Sequence, residues 1–109
     1  MDTFVDVMER AEGVELGQLE PMTTLLVWTW NSIYQVVVSD GSEVLVQGGS
    51  LFAAPTPAHI DGATAGQGVV RTGWIGLGLL MQFHVGEKRI VTSPVIAIVT
   101  EPPRIAIVH

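Results

Sequence analysis

The sequence predicts an all-β protein, a small antiparallel β-barrel or sandwich of about eight to ten short strands preceded by one short N-terminal helix. Three observations lead there. Apolar side chains alternate with period two through most of the chain. An Asp-Gly pair at residues 40–41 separates two β-branched runs. Glycine, proline and Asn-Ser signals recur at short intervals after Pro21.

The hairpin around Asp40-Gly41 sets the frame. Ile33 to Val38 and Glu43 to Gln47 are β-branched and aromatic runs, and glycine can take the positive φ that a tight turn demands. A two-residue Asp40-Gly41 loop would set Val38 opposite Glu43 and Tyr34 opposite Gln47, mixing polar with apolar on both faces. A three-residue loop, Ser39-Asp40-Gly41, with Gly41 left-handed beside a bulge, aligns even positions with even. Tyr34, Val36, Val38, Val44 and Val46 then share one apolar face. A lone hairpin is marginal in water, so that face needs further strands.

Asp2 to Glu12 is the one helical candidate: Phe4, Met8 and Ala11 recur at i, i+4 and i+7, Asp2 or Thr3 can cap it, and Gly13 can end it. Residues 1–13 thus read as an acidic helical segment and residues 14–109 as a single all-β domain. Val14 to Pro21 reads as a connector or short edge strand. Thr24 to Trp30 reads as a strand buried on much of both faces, interrupted by Asn31-Ser32 before the hairpin. Gly48-Gly49 marks a bend or bulge, and Ser50 to Ala53 a short strand closed by Pro55 and Pro57, which make Ala54 to Pro57 an edge or loop. Ala58 to Asp61 is another short strand, followed by a glycine-rich connection, residues 62–68.

Val69 to Val85 accommodates two strands or one strongly bent one, with Leu77, Leu79, Met81, Phe83 and Val85 on one face. Gly86-Glu87-Lys88 turns into Arg89 to Thr92, and Pro94 belongs at a strand start or a bulge. Val95 to Thr100 and Arg104 to Val108 are the last strands.

Charged residues make up 15% of the 109 positions, against a usual value of about 25%. A monomer so poorly charged leaves apolar surface facing water, which favours a homo-oligomer. The formal charge of −6 is uneven: residues 1–20 hold six acids and one base, and residues 21–109 five acids and four bases. Without a basic patch, nucleic acid and anionic membrane are poor partners. The acidic segment could instead be displayed to another protein. Absence of cysteine excludes disulfides, thiolate nucleophiles and Cys-ligated zinc. No basic leader precedes an apolar run, and the most apolar stretch, Trp74 to Met81, is far shorter than the roughly 20 residues of a spanning helix. A soluble cytoplasmic protein is the expectation.

The order of short motifs Asn31-Ser32-x-Tyr34, Gly48-Gly49-x-x-Phe52, Trp74-Ile75-Gly76-x-Gly78-x-x-Met81-x-Phe83 and Thr92-Ser93-Pro94-Val95 resembles a family of short bacterial β-barrel proteins without an assigned activity. The likeness covers roughly residues 16–99. It implies a β fold and no function. Where the family pattern has Thr-Arg before Asn-Ser, this chain has Thr29-Trp30, so no role of that arginine carries over.

Chemistry is sparse. His59-x-Asp61 would project two potential metal ligands from one strand face, with His84 or His109 as a third, but this is no closed ligand set, and no metal or cofactor is expected. Ser32, Ser39, Ser42, Ser50 and Ser93 sit at turns or strand ends where hydroxyls bond local backbone, so no catalytic residue is assigned. Gly66-Gln67-Gly68 and Gly76-Leu77-Gly78 precede no helix and read as bends. Trp30, Asn31, Ser32, Tyr34 and Trp74 are the binding candidates: Asn31-Ser32 is either a bulge satisfying nearby amides or a small polar site at a barrel mouth, and the aromatics would line it. A non-enzymatic interaction or structural protein acting as a homo-oligomer is the first reading, a small-molecule-binding β module the alternative, and an enzyme a third.

Overall fold

A computed structural model describes residues 12–103, and the strand pattern dominates them. In chain order these are β1 (Gly13–Glu15), a single 3-10 turn (Leu16–Gln18), β2 (Thr24–Thr29), β3 (Ile33–Asp40), β4 (Glu43–Gly48), β5 (Phe52–Thr64), β6 (Val70–Thr72), β7 (Trp74–Gly76), β8 (Leu80–Val85) and β9 (Lys88–Glu101). Every strand pairing is antiparallel.

The β3–β4 hairpin has the predicted face. Val36 pairs with Val46 and Val38 with Val44, and these four and Tyr34 are buried. Its loop differs from expectation. Asp40 pairs with Glu43 around a two-residue Gly41-Ser42 turn, Gly41 taking φ +58, and the extra residue is accommodated by a bulge at Ser39. Neighbouring chain explains the choice: the Val38 N–H donates to Thr23 O while Val38 O accepts from the Met22 N–H, and Ser42 O accepts from the Ile60 N–H. The flanking segments therefore use the backbone groups that a three-residue loop would have left to the hairpin.

Several expected short strands are continuous. Ser50–Ala53 and Ala58–Asp61 merge into β5, which runs through Pro55 and Pro57 because β4 is its only neighbour there among the described residues and the prolines lie on an edge, as anticipated. Likewise Arg89–Thr92 and Val95–Thr100 are the halves of β9. Val69 to Val85 divides into three strands rather than two; of the expected face Leu79, Met81 and Phe83 are buried and Val85 half-buried, while Leu77 falls in the turn after β7 and is exposed.

These two long strands fold the sheet into two layers. In the first layer the order is β5 (residues 52–59), β4, β3, β2 and β9 (95–101); in the second it is β9 (88–94), β8, β5 (59–64) and β6. A barrel, one of the two expected forms, does not close. The two partners of β9 meet only at Pro94-Val95, where it leaves β8 for β2, so β9 is a bent corner strand and not a stave flanked along its length. Between the layers Leu25, Val27, Val36, Val38, Val44 and Val46 face Ile60, Met81, Phe83 and Ile90 in one core cluster. The Phe83 ring joins the layers, edge-on to Tyr34 at 6.0 Å and tilted against Phe52 at 5.8 Å.

The helix expected over Asp2–Glu12 lies almost wholly outside the described residues. Gly13, expected to end it, opens β1 and pairs with Gly76 of β7. Arg104–Val108 is likewise outside the described residues. β2 corrects another expectation. Leu25, Val27 and Thr29 are buried, but on the opposite face Leu26 is only half-buried and Trp28 exposed, because no layer among the described residues covers that side.

Candidate functional site

The five binding candidates do not converge. Trp30 and Asn31 stand exposed on the β2–β3 turn, and Ser32 closes it: Thr29 Oγ1 donates to Ser32 O at 3.0 Å and accepts from the Ser32 N–H at 3.1 Å. The Asn31 N–H donates to Ser93 Oγ at 3.0 Å, and the Trp30 N–H to Pro94 O at 3.1 Å. Asn31-Ser32 thus belongs to a turn, not a bulge, and that turn is tied to the corner of β9. The same corner receives Gly78, whose N–H donates to Val95 O, while the Val95 N–H donates to Leu79 O. Three of the four resemblance motifs meet here, through backbone and hydroxyl groups, in a structural clasp.

Tyr34 is a core residue against Phe83. Trp74, half-buried, lies under the Arg71 guanidinium at 3.7 Å, and its Nε1 is buried without a hydrogen-bond partner. Surface pockets of about 240, 290 and 390 Å³ are lined by other residues.

Two surfaces remain, one on each layer. On the outside of the second layer, cross-strand pairing aligns Glu43, His59, His84 and Arg89 in one row over β4, β5, β8 and β9. Asp61 lies at the β5 bulge and Gln82 follows on β8. His59 Nδ1–H donates to Glu43 Oε1 at 2.6 Å, and His84 Nδ1–H to Asp61 Oδ2 at 2.5 Å, which also accepts from Gln82 Nε2 at 3.1 Å. Since an ionised carboxylate only accepts, each pairing calls for the proton on Nδ1, and His59 Nε2 lies 3.9 Å from Asp61 Oδ1. Each imidazole is thereby oriented by a carboxylate, as a base would be. Among the described residues no group of three or more His, Cys, Asp or Glu side chains could hold a metal ion, so His59-x-Asp61 with His84 is a hydrogen-bonded cluster; His109 lies outside them. The sequence exposed His59, Asp61 and His84. It hid Glu43 and Gln82, because their membership depends on which strands pair.

The outside of the first layer is apolar. Trp28 stands opposite Ile33 on β3 and Ala97 on β9, Leu26 opposite Gln35 and Val99, and Thr24 opposite Val37 and Glu101. Trp28 is 43% exposed, Ile33 52%, Ile96 52% and Val99 47%, with Trp30 at 73% on the adjoining turn. Scattered apolar side chains on a surface are ordinary, but a contiguous group spanning three neighbouring strands is not. No protein-family profile, curated protein or solved structure matches the chain. No helix among the described residues is long and apolar enough to cross a membrane.

Proposed function

We propose that the protein is a non-enzymatic interaction module that assembles with copies of itself through the outer face of β2, β3 and the second half of β9. One observation carries this reading: Trp28, Ile33, Ile96 and Val99 are exposed, with Leu26 half-buried, on the outer side of strands whose inner side buries Leu25, Val27, Tyr34, Val36, Val38 and Val95. The low proportion of charged residues supports it, since subunit contact replaces a charged shell. Its compartment is taken to be the cytoplasm, and the acidic residues 1–13 are the proposed contact for a second protein. The polar row on the other layer favours solvent exposure there, leaving the apolar face for assembly.

Light scattering on the purified protein at micromolar concentration tests the reading. The expected mass is a multiple of the 11.7 kDa chain. Trp28→Glu, which places an unpaired charge at the centre of the face, is expected to yield a monomer with unchanged β-sheet circular dichroism. A monomeric mass for the parent protein overturns the proposal.

A further inference from the structure

Among the described residues the two layers end in four edges, and these differ. An edge strand offers unpaired N–H and C=O groups to another chain; shortness, charge and proline keep such edges apart. β6 has only the three residues Val70–Thr72. β9 before its corner starts with Lys88-Arg89, and the β2–β3 turn covers its other end through the Asn31 and Trp30 N–H groups. On β5 the Ile60 N–H donates to Ser42 O, so even-numbered residues bond β4, and Pro55 and Pro57 turn their missing N–H to the open side.

The fourth edge, β9 after its corner, has none of these devices. The Val38 N–H donates to Thr23 O and the Thr29 N–H to Ser32 O, so odd-numbered residues of β2 bond β3. Thr24, Leu26 and Trp28 therefore bond Glu101, Val99 and Ala97 of β9, and the N–H and C=O of Ile98 and Thr100 turn away from β2. No strand among the described residues meets them there, because β8 leaves β9 at Pro94 and only Gly78 and Leu79 continue its line, as far as Val95. Val95 to Thr100 contains no charge, proline or glycine.

The size of the apolar face gives this edge its occupant. Four strands, β4, β3, β2 and the end of β9, at about 4.8 Å spacing and about six residues of 3.3 Å each, present roughly 400 Å² in projection. That is about half of the roughly 800 Å² that each side of a stable dimer buries. Two copies joined at the β9 edge set their outer faces side by side and reach that area. The edge suits its own twin: no charge meets a like charge along it, and the two Glu101 side chains stand at opposite ends, about 20 Å apart.

We infer that two copies pair their β9 edges antiparallel about a two-fold axis at Ile98, with Ile96 opposite Thr100 and Ala97 opposite Val99, and that the doubled outer faces of two such pairs stack into a four-copy assembly. This rests on the self-assembly reading above and names the contact that makes the face large enough. Each contact depends on the other, since one strand pair is marginal in water and one undoubled face is too small. Loss of either therefore yields monomers.

The test uses the full chain. Light scattering is expected to give the parent protein four times the chain mass. Thr100 is exposed, and Thr100→Pro removes an N–H directed away from β2, as Pro55 and Pro57 do on the other edge. It is expected to be a monomer with the parent's circular dichroism, whereas Thr100→Val, which keeps the N–H, retains the parent mass. Cross-linking reads the same contact directly, because the chain has no cysteine of its own. A mixture of Ala97→Cys and Val99→Cys proteins is expected to give a disulfide-linked heterodimer on mild oxidation, beyond the level formed by either variant alone. Thr100→Pro that keeps the parent mass, with Trp28→Glu monomeric, overturns the edge pairing and leaves the face reading standing; so does a parent mass of two chains. If Thr100→Pro loses the β-sheet spectrum, the cross-link decides, and its absence overturns the pairing. A monomeric parent protein removes both readings.

Discussion

At Gly48 the backbone takes φ +124, and a Cβ built there would sit 2.1 Å from Ile33 O, inside the ladder between β3 and β4. Gly41 has φ +58 with nothing within 4 Å of its Cβ position. The two glycines therefore separate conformational strain from collision. Gly41→Ala is expected to cost about 1 kcal/mol, the left-handed penalty alone. Gly48→Ala adds a clash with backbone that cannot rotate away, and about 3 kcal/mol or more is expected. Urea unfolding followed by tryptophan fluorescence measures both; equal losses would contradict the assignment. Asp-Gly between β-branched runs made Gly41 legible from sequence. Gly48 read as a bend or bulge with no reason for glycine itself, because its demand comes from Ile33 on the neighbouring strand. Glu43 beside His59 was hidden for the same reason, being set by cross-strand register that no local pattern encodes.

On the scale of elements, the corner of β9 decides whether the two layers share a core. Thr92 Oγ1 accepts from the buried Met81 N–H at 3.0 Å and donates to Ser93 O at 2.7 Å, whereas Ser93 Oγ serves the exposed Asn31 N–H. Water can replace the serine hydroxyl but cannot reach Met81 N. Thr92→Val, nearly isosteric, is expected to destabilise by about 2 kcal/mol through the unsatisfied buried N–H, and Ser93→Ala by about 1 kcal/mol or less. Chemical denaturation of the two variants checks the order, and a larger loss from Ser93→Ala would refute it. Period-two alternation located the strands here and put Leu79, Met81 and Phe83 on one face. The corner itself was not legible. Pro94 announced a break in pairing, yet the continuity of β9 through it comes from Trp30 and Gly78 donating to Pro94 O and Val95 O, and those donors lie far away in sequence.

For the molecule as a whole, the proposed self-assembly sets two forces against each other. Each chain carries −6, so copies repel, and the proposed contact face is apolar, with Glu101 at its border. In the proposed assembly charge opposes contact, and burial of the exposed Trp28, Ile33 and Val99 is the force that would favour it. The two forces respond oppositely to conditions. Added salt shortens the Debye length from about 30 Å at 0.01 M to about 10 Å at 0.1 M, removing repulsion without weakening apolar contact. Apolar association near room temperature is largely entropic and weakens on cooling. Sedimentation equilibrium is therefore expected to show tighter assembly at moderate than at low salt, and looser assembly in the cold than at 25 °C. Interfacial ion pairs would give the reverse salt dependence, because screening weakens attraction between exposed opposite charges. Assembly that dissociates on adding sodium chloride would then place the contact on the Glu43, His59, His84 and Arg89 row of the second layer, and the apolar face would have to find another occupant.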